Sequence, residues 1–178
     1  MAENIVILRT KRIKLRRLKL SDAVSLHRQT REKGINLFSG PYMSANNMVS
    51  AKEYIYTCQK NLDLRKSDVF GIVLLSKQEL IGSIGLSSIN WEKGETYIGF
   101  WLSEKFWGRG IMVETLNLIK PYIYQVLGLR IVIAEVEKNN IASIKVLKKA
   151  GFRLDQYPKL ENQDIIKYSL HQEWASPE

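Results

Sequence analysis

"EKFWGRGIMVETL", Glu104 to Leu116, sets two glycines two residues apart directly ahead of a hydrophobic run. Met112, Leu116, Ile119, Ile123 and Val126 follow at steps of three and four, the stripe of an amphipathic helix. A helix opening near Ile111 leaves its first N–H groups without intrahelical partners and carries a partial positive charge at that end. Gly108 and Gly110 let bare backbone come close to a ligand, and Lys105 and Arg109 bring cationic charge. The stretch reads as an anion-binding turn at the mouth of a helix, although a glycine pair alone also marks ordinary tight turns. Two standard phosphate motifs do not fit. A dinucleotide fingerprint needs glycine where Val113 stands, and a P-loop needs Gly-Lys followed by Ser or Thr.

Working outward, the segment before the glycines, "ETYIGFWL" from Glu95, alternates. Tyr97, Gly99 and Trp101 face one way, and Ile98, Phe100 and Leu102 the other. Upstream, "DVFGIVLLS" and "LIGSIGLSSI" flank a "KQE" turn and read as a hairpin. At the start of the chain, Ile13 to Leu18 reads as a strand. A helix then opens at Ser21 or Asp22 with Ala23, Leu26 and Thr30 on one face. "GINLFSGPYMSANN", Gly34 to Asn47, reads as a loop, and Met48 to Asn61 as a helix with Met48, Ala51, Ile55 and Cys58 in line.

Downstream of the glycines, Gly128 closes the helix, "RIVIAEV" is a strand, and "NNIASIKVLKKAGF" is a helix capped by Asn139 or Asn140 and ended by Gly151. "DIIKYSL" is the last strand. Pro121 falls inside the glycine-led helix, where it removes a hydrogen bond; a bend is expected there because the stripe continues on both sides. This order gives an α+β fold: one central mixed, mostly antiparallel sheet of about six to seven strands flanked by about four helices, with residues 1–178 as a single domain.

Composition sets outer limits. The net charge is +9, and seven of the eleven residues from Arg9 to Lys19 are basic. That raises the odds of an anionic partner, yet a solvated strand face with Ile13 and Leu15 inward and Lys14 and Arg16 outward explains the run as well. RNA binding by stacking would need aromatics among those cations, and none is present, so nucleic acid is an unlikely partner. The longest apolar run, Val69 to Leu75, is too short for a membrane span, and no signal peptide is evident. The single cysteine, Cys58, cannot form an internal disulfide, and a cytoplasmic home is the natural expectation. No cluster has metal-ligand spacing, so no metal is expected.

"YIGFWLSEKFWGRGIMVETL" followed by "NNIASIKVLKKAGF" resembles the GNAT superfamily of acetyl-CoA-dependent N-acetyltransferases, and more narrowly its RimJ/RimL branch, which acetylates protein N-terminal amines. The family's pyrophosphate loop falls on Lys105, Gly108 and Gly110, with lysine where glutamine or arginine is usual. Its second motif falls on Asn140, Ser143, Lys149, Gly151 and Phe152.

The resemblance implies acetyl-CoA as cosubstrate. Backbone near Leu102 and Ser103 would meet pantetheine between two splayed strands. The amides of Lys105, Phe106, Trp107, Gly108, Arg109 and Gly110 would hold the pyrophosphate ahead of Ile111, with Asn140 and Ser143 also at the site. The tyrosine many family members use as acid is replaced by Leu147, and Ser143 occupies the place of the acid proposed in the RimL-like branch. A first-turn serine bonding backbone is the alternative. Carboxylate candidates for the base are Glu92, Glu95, Glu135 and Glu161; Glu161 stands nearest the branch's own, in a segment that is shorter here. Tyr97 is a candidate to orient the acceptor, and Trp107 reads as a packing residue. The acceptor implied is a protein N-terminus, ribosomal proteins included, or a small amine such as an antibiotic, amino acid or polyamine. The family often forms homodimers.

Overall fold

A computed structural model describes residues 7–32, 48–155 and 164–172. Eight strands form one mixed sheet: β1 (Ile7–Arg9), β2 (Ile13–Arg17), β3 (Asp68–Leu74), β4 (Glu79–Asn90), β5 (Glu95–Leu102), β6 (Ile131–Glu137), β7 (Arg153–Leu154) and β8 (Ile165–His171), in the order β1-β2-β3-β4-β5-β6-β8-β7. Four α-helices accompany them among the described residues: α1 (Ala23–Thr30), α2 (Met48–Asp63), α3 (Ile111–Pro121) and α4 (Ile141–Lys149). The class is the expected one. The strands beyond six or seven are β1 and β7, whose three and two residues are too short for an alternation to show.

The chain divides into two compact units, Met1–Gly85 with Phe100–Ile111, and Leu86–Gly99 with Met112–Glu178. In the first, Leu18, Ala23, Leu26, Ala51, Ile55, Val73 and Leu80 form the core, with Cys58, Tyr54 and Trp101 packed at its margin. The β2 alternation buries Ile13 and Leu15 as expected. Its other face is not simply solvated, since Arg16 reaches Asp22 through two bonds. Arg17, in phase with Ile13 and Leu15, approaches Asp68 at 3.3 Å. Asp22 stands at the expected N-cap position of α1, but its side chain makes no cap bond to the helix. Its carboxylate turns back to accept from the Lys19 amide at 2.7 Å, because a 3₁₀ turn, Leu20–Asp22, intervenes between strand and helix.

In the second unit, Leu116, Ile119 and Ile123 gather with Ile98, Val132, Phe152 and Leu170 in a buried apolar cluster. Pro121 neither breaks the helix nor leaves it regular. A π-helical turn, Tyr122–Val126, follows directly, closed by the Leu127 amide donating to the Tyr122 carbonyl at 3.0 Å. The missing N–H of Pro121 already interrupts the i→i−4 ladder, and the wider turn takes over from it. This corrects the expected stripe. The wide turn delays the return to the buried face, so Val126 is 68% exposed while Met112 to Ile123 are buried as anticipated. Lys120, whose pKa burial lowers, donates to the Ala150 carbonyl at 2.6 Å and so ties α3 to the end of α4. There Gly151, at φ +87°, lets the Phe152 amide reach back to Leu147 and its own amide to Lys148, a two-bond C-terminal cap.

Candidate functional site

The first unit carries the glycine loop. β5 ends at Leu102, and the next residue, Ser103, is fully buried. Its amide donates to the Ile81 carbonyl of β4 at 2.9 Å. A 3₁₀ turn, Glu104–Phe106, follows, then Gly108 at φ +73° and Gly110 at φ +72°, and α3 begins at Ile111. Both glycines occupy left-handed backbone, and a Cβ built on either meets nothing within 4 Å among the described residues beyond its chain neighbours. The space above them is open, as close backbone approach by a ligand requires.

The loop's cations are placed by Phe106, which is 5% exposed. Lys105 Nζ lies 5.4 Å and Arg109 Cζ 5.7 Å from the centre of its ring. Lys105 also approaches Glu79 Oε1 at 3.5 Å. Trp107 does not pack as the sequence suggested. It is 44% exposed, and its indole Nε1 donates to the Leu102 carbonyl at 2.6 Å, while Phe106 takes the buried place.

The second unit carries the other motif. β5 and β6 run parallel, pairing Glu95 with Ile131, Thr96 with Val132 and Tyr97 with Ile133. No further rung joins them among the described residues, although β5 continues to Leu102 and β6 to Glu137. β6 keeps its antiparallel ladder with β8 along its whole length, Ile131↔His171 to Glu137↔Ile165. The β5-facing edge of β6 is thus released after Ile133, and Tyr97 stands at the last rung. Lys167 Nζ sits 5.7 Å from the Tyr97 ring centre and 3.6 Å from Glu135 Oε1.

Asn140, rather than Asn139, is the cap of α4, its Oδ1 accepting from the Ser143 amide at 3.1 Å. Ser143 thus sits in the first turn of a capped helix, its amide taken up by the cap, and its hydroxyl has no hydrogen-bond partner among the described residues. Glu95 is not brought to this place. It pairs with Ile131 at the start of β6, and α4 follows the far end, roughly 20 Å along the strand. Glu92 is exposed in the β4–β5 turn, and Glu135 is taken up by Lys167. Glu161 and the Gly34–Asn47 segment lie outside the described residues.

Among the described residues no three His, Cys, Asp or Glu side chains gather to hold a metal, and no helix is long and apolar enough to cross a membrane. The family model described as acetyltransferase (GNAT) domain matches residues 12–153. The chain belongs to the GNAT acetyltransferase family. Across 170 residues it is 28% identical to the uncharacterized N-acetyltransferase p20 of Bacillus licheniformis, covering 90% of this chain and 93% of that one.

Two solved structures share the GNAT fold along nearly the whole chain. RimL, a ribosomal L7/L12 alpha-N-protein acetyltransferase in complex with coenzyme A, aligns with TM-score 0.82 at 19% identity, covering 93% of this chain and 98% of its own. The ribosomal-protein-S5-alanine acetyltransferase of Vibrio fischeri aligns with TM-score 0.79 at 20% identity, covering 97% and 100%.

In this GNAT chain three residues near the two motifs escaped the sequence reading: Glu32, Arg12 and Lys167. Glu32 accepts from Ser103 Oγ and the Glu104 amide, and Arg12 Nη1 donates to the Arg109 carbonyl at 3.2 Å. These contacts span 71, 72 and 97 residues, and no local spacing signals them.

Proposed function

We propose that this N-acetyltransferase takes acetyl-CoA as donor and acetylates the N-terminal amine of a protein, in the manner of the RimJ/RimL branch. The observation that carries the donor is the loop: two glycines in left-handed backbone under open space, flanked by Lys105 and Arg109, leading straight into α3. That donor set fits a pyrophosphate, with amides and a helix N-terminus for the anion and two cations beside it. The edge of β6 beyond Ile133, which pairs with no further β5 residue among the described ones, offers backbone groups to the pantetheine arm. The bound thioester supplies an activated acetyl carbon.

The chain's own residues then have three tasks. An amine must arrive neutral, developing negative charge on oxygen must meet donors, and the leaving sulfur must receive a proton. As the amine nitrogen bonds to the carbonyl carbon, the carbon–sulfur bond breaks; the nitrogen gives up one proton to water, the sulfur takes one from the acid, and the acid regains its proton from water. Ser143 Oγ is assigned the proton for sulfur, its backbone held in the first turn of α4 by the Asn140 cap and its hydroxyl left unused by the described residues. Tyr97, at the last paired rung, is assigned to orient the incoming amine. The protein acceptor is supported by the fold shared with two ribosomal-protein acetyltransferases over 93% and 97% of the chain.

The test is CoA thiol release from acetyl-CoA, with lysine-blocked peptides carrying a free or a blocked N-terminus and a panel of small amines. Turnover confined to the free N-terminus is expected. Turnover with a small amine and not with the peptide would move the acceptor to the small-molecule class, and no thiol release with any amine would overturn the proposal.

A further inference from the structure

We infer that Glu32 is a positioning residue for the glycine loop, setting its affinity for CoA from outside the loop itself. The inference rests on the proposed reading of that loop as the pyrophosphate site. Glu32 stands just past the end of α1, and its carboxylate bridges two consecutive residues at the loop's origin. Ser103 Oγ donates to Oε1 at 2.9 Å, and the Glu104 amide donates to Oε2 at 2.7 Å. Ser103 is fully buried and already fixed by its amide to Ile81, so the carboxylate completes an anchor on a residue that cannot shift into water. The Glu104 amide opens the 3₁₀ turn that aims Phe106, and with it the Lys105 and Arg109 cations. Bonds to a carboxylate are the shorter and stronger kind.

A second tether runs from the same helix. Arg28, one turn before Glu32, meets Glu79 Oε1 at 2.9 Å, and that oxygen also faces Lys105 Nζ at 3.5 Å. The end of α1 thus reaches the loop's start by two routes.

Placing a carboxylate here opposes the loop's function on charge alone, since a negative group near an anion site repels the anion. The two effects differ in sign, and that makes the role testable. If Glu32 acted only through its charge, neutralising it would tighten CoA binding. If it acted only through general stability, melting temperature would fall with affinity unchanged. As a positioning residue its loss loosens CoA binding.

The experiment is calorimetric titration of CoA into the full chain, wild type against Glu32→Gln and Glu32→Ala, with melting curves and steady-state kinetics beside it. The alanine variant is expected to bind CoA about tenfold more weakly, within what losing charge-assisted bonds costs. The glutamine variant is expected to fall between, because its amide keeps one acceptor oxygen. KM for acetyl-CoA should rise while kcat at saturation holds within about threefold. Equal or tighter CoA binding by both variants would overturn the inference. If Glu32→Ala does not fold, Ser103→Ala removes one of the two bonds alone, and unchanged affinity there would overturn it equally. Failure of the wild type to bind CoA would instead bring down the reading of the loop, and this inference with it.

Discussion

Arg16 and Asp22 meet in a two-pronged ion pair, Nη1 to Oδ2 at 2.7 Å and Nη2 to Oδ1 at 2.8 Å, with side chains only 16% and 8% exposed. The bond to Asp22 raises the Arg16 pKa against the opposing effect of burial. The same carboxylate also accepts from the Lys19 amide, so it holds the whole passage from β2 into α1. Removing one partner of such a pair strands the other away from water. Asp22→Ala is expected to cost about 3 kcal/mol of stability, read from urea unfolding. Asp22→Asn keeps acceptor capacity toward Lys19 and should cost less. Equal stability in all three proteins would show that the pair does nothing for folding.

A substitution at Gly108 should separate binding from folding. Its backbone is left-handed at φ +73°, and nothing among the described residues beyond its chain neighbours lies within 4 Å of an added Cβ. Gly108→Ala therefore carries a strain of about 1–2 kcal/mol but no clash with the chain itself. Under the proposed function the methyl group stands where the pyrophosphate must come close. The variant is expected to fold, by circular dichroism and melting, and to lose CoA binding by about a hundredfold or more. Wild-type affinity in the folded variant would show that the loop is not the phosphate site.

How much of this was legible in the sequence depends on range. Elements whose signal is periodic were readable: the β5 alternation, the buried Ile13 and Leu15 of β2, and the α3 stripe as far as Ile123. So was the glycine loop, because left-handed backbone asks for a particular residue type. What failed had its cause elsewhere. Val126 was read by a 3.6-residue period that the π turn after Pro121 does not keep. The basic run looked like a surface, yet Arg16 and Arg17 find carboxylates six and 51 residues away. The pairing of Glu95 with Ile131, at the end of β6 away from α4, comes from the parallel register and has no local sequence signal. Glu32 had no signal, since a lone glutamate near a helix end says nothing about a serine 71 residues on.

Cys58 should make stability depend on alkaline pH. It packs at the edge of the first unit's core beside Tyr54, and burial pushes its thiol from 9.0 up to about 11. Burial also raises Tyr54 above its ordinary 10.0. For an acid whose folded pKa is raised, the protonated folded form is favoured. Its contribution is fully present below the unfolded pKa and is lost as pH climbs from about 9 to about 11. Cys58→Ala removes that part and with it the share of the Tyr54 shift that Cys58 causes, leaving the share due to burial. The wild type should therefore lose on the order of 2 kcal/mol more than the variant across that interval, by urea midpoints at several pH values. Parallel pH curves for the two proteins would refute the assignment.

Ser143 is the sharpest test of the chemistry. Its amide is fixed by Asn140 Oδ1, so the residue is held without using its hydroxyl, and that hydroxyl has no partner among the described residues. A serine kept only to satisfy backbone would show the opposite arrangement, with Oγ bonded to the first turn. Ser143→Ala should leave the cap and the fold intact and keep CoA affinity within about twofold, since no charge or backbone bond is lost. If Oγ delivers the proton to sulfur, kcat should fall by about a hundredfold or more, the usual worth of a positioned acid. Asn140→Ala should cost about 1 kcal/mol of stability through the lost cap and should also lower kcat, because the first turn that carries Ser143 is loosened. A Ser143→Ala enzyme that turns over at the wild-type rate would remove Oγ from the reaction and leave the leaving sulfur to take its proton from water.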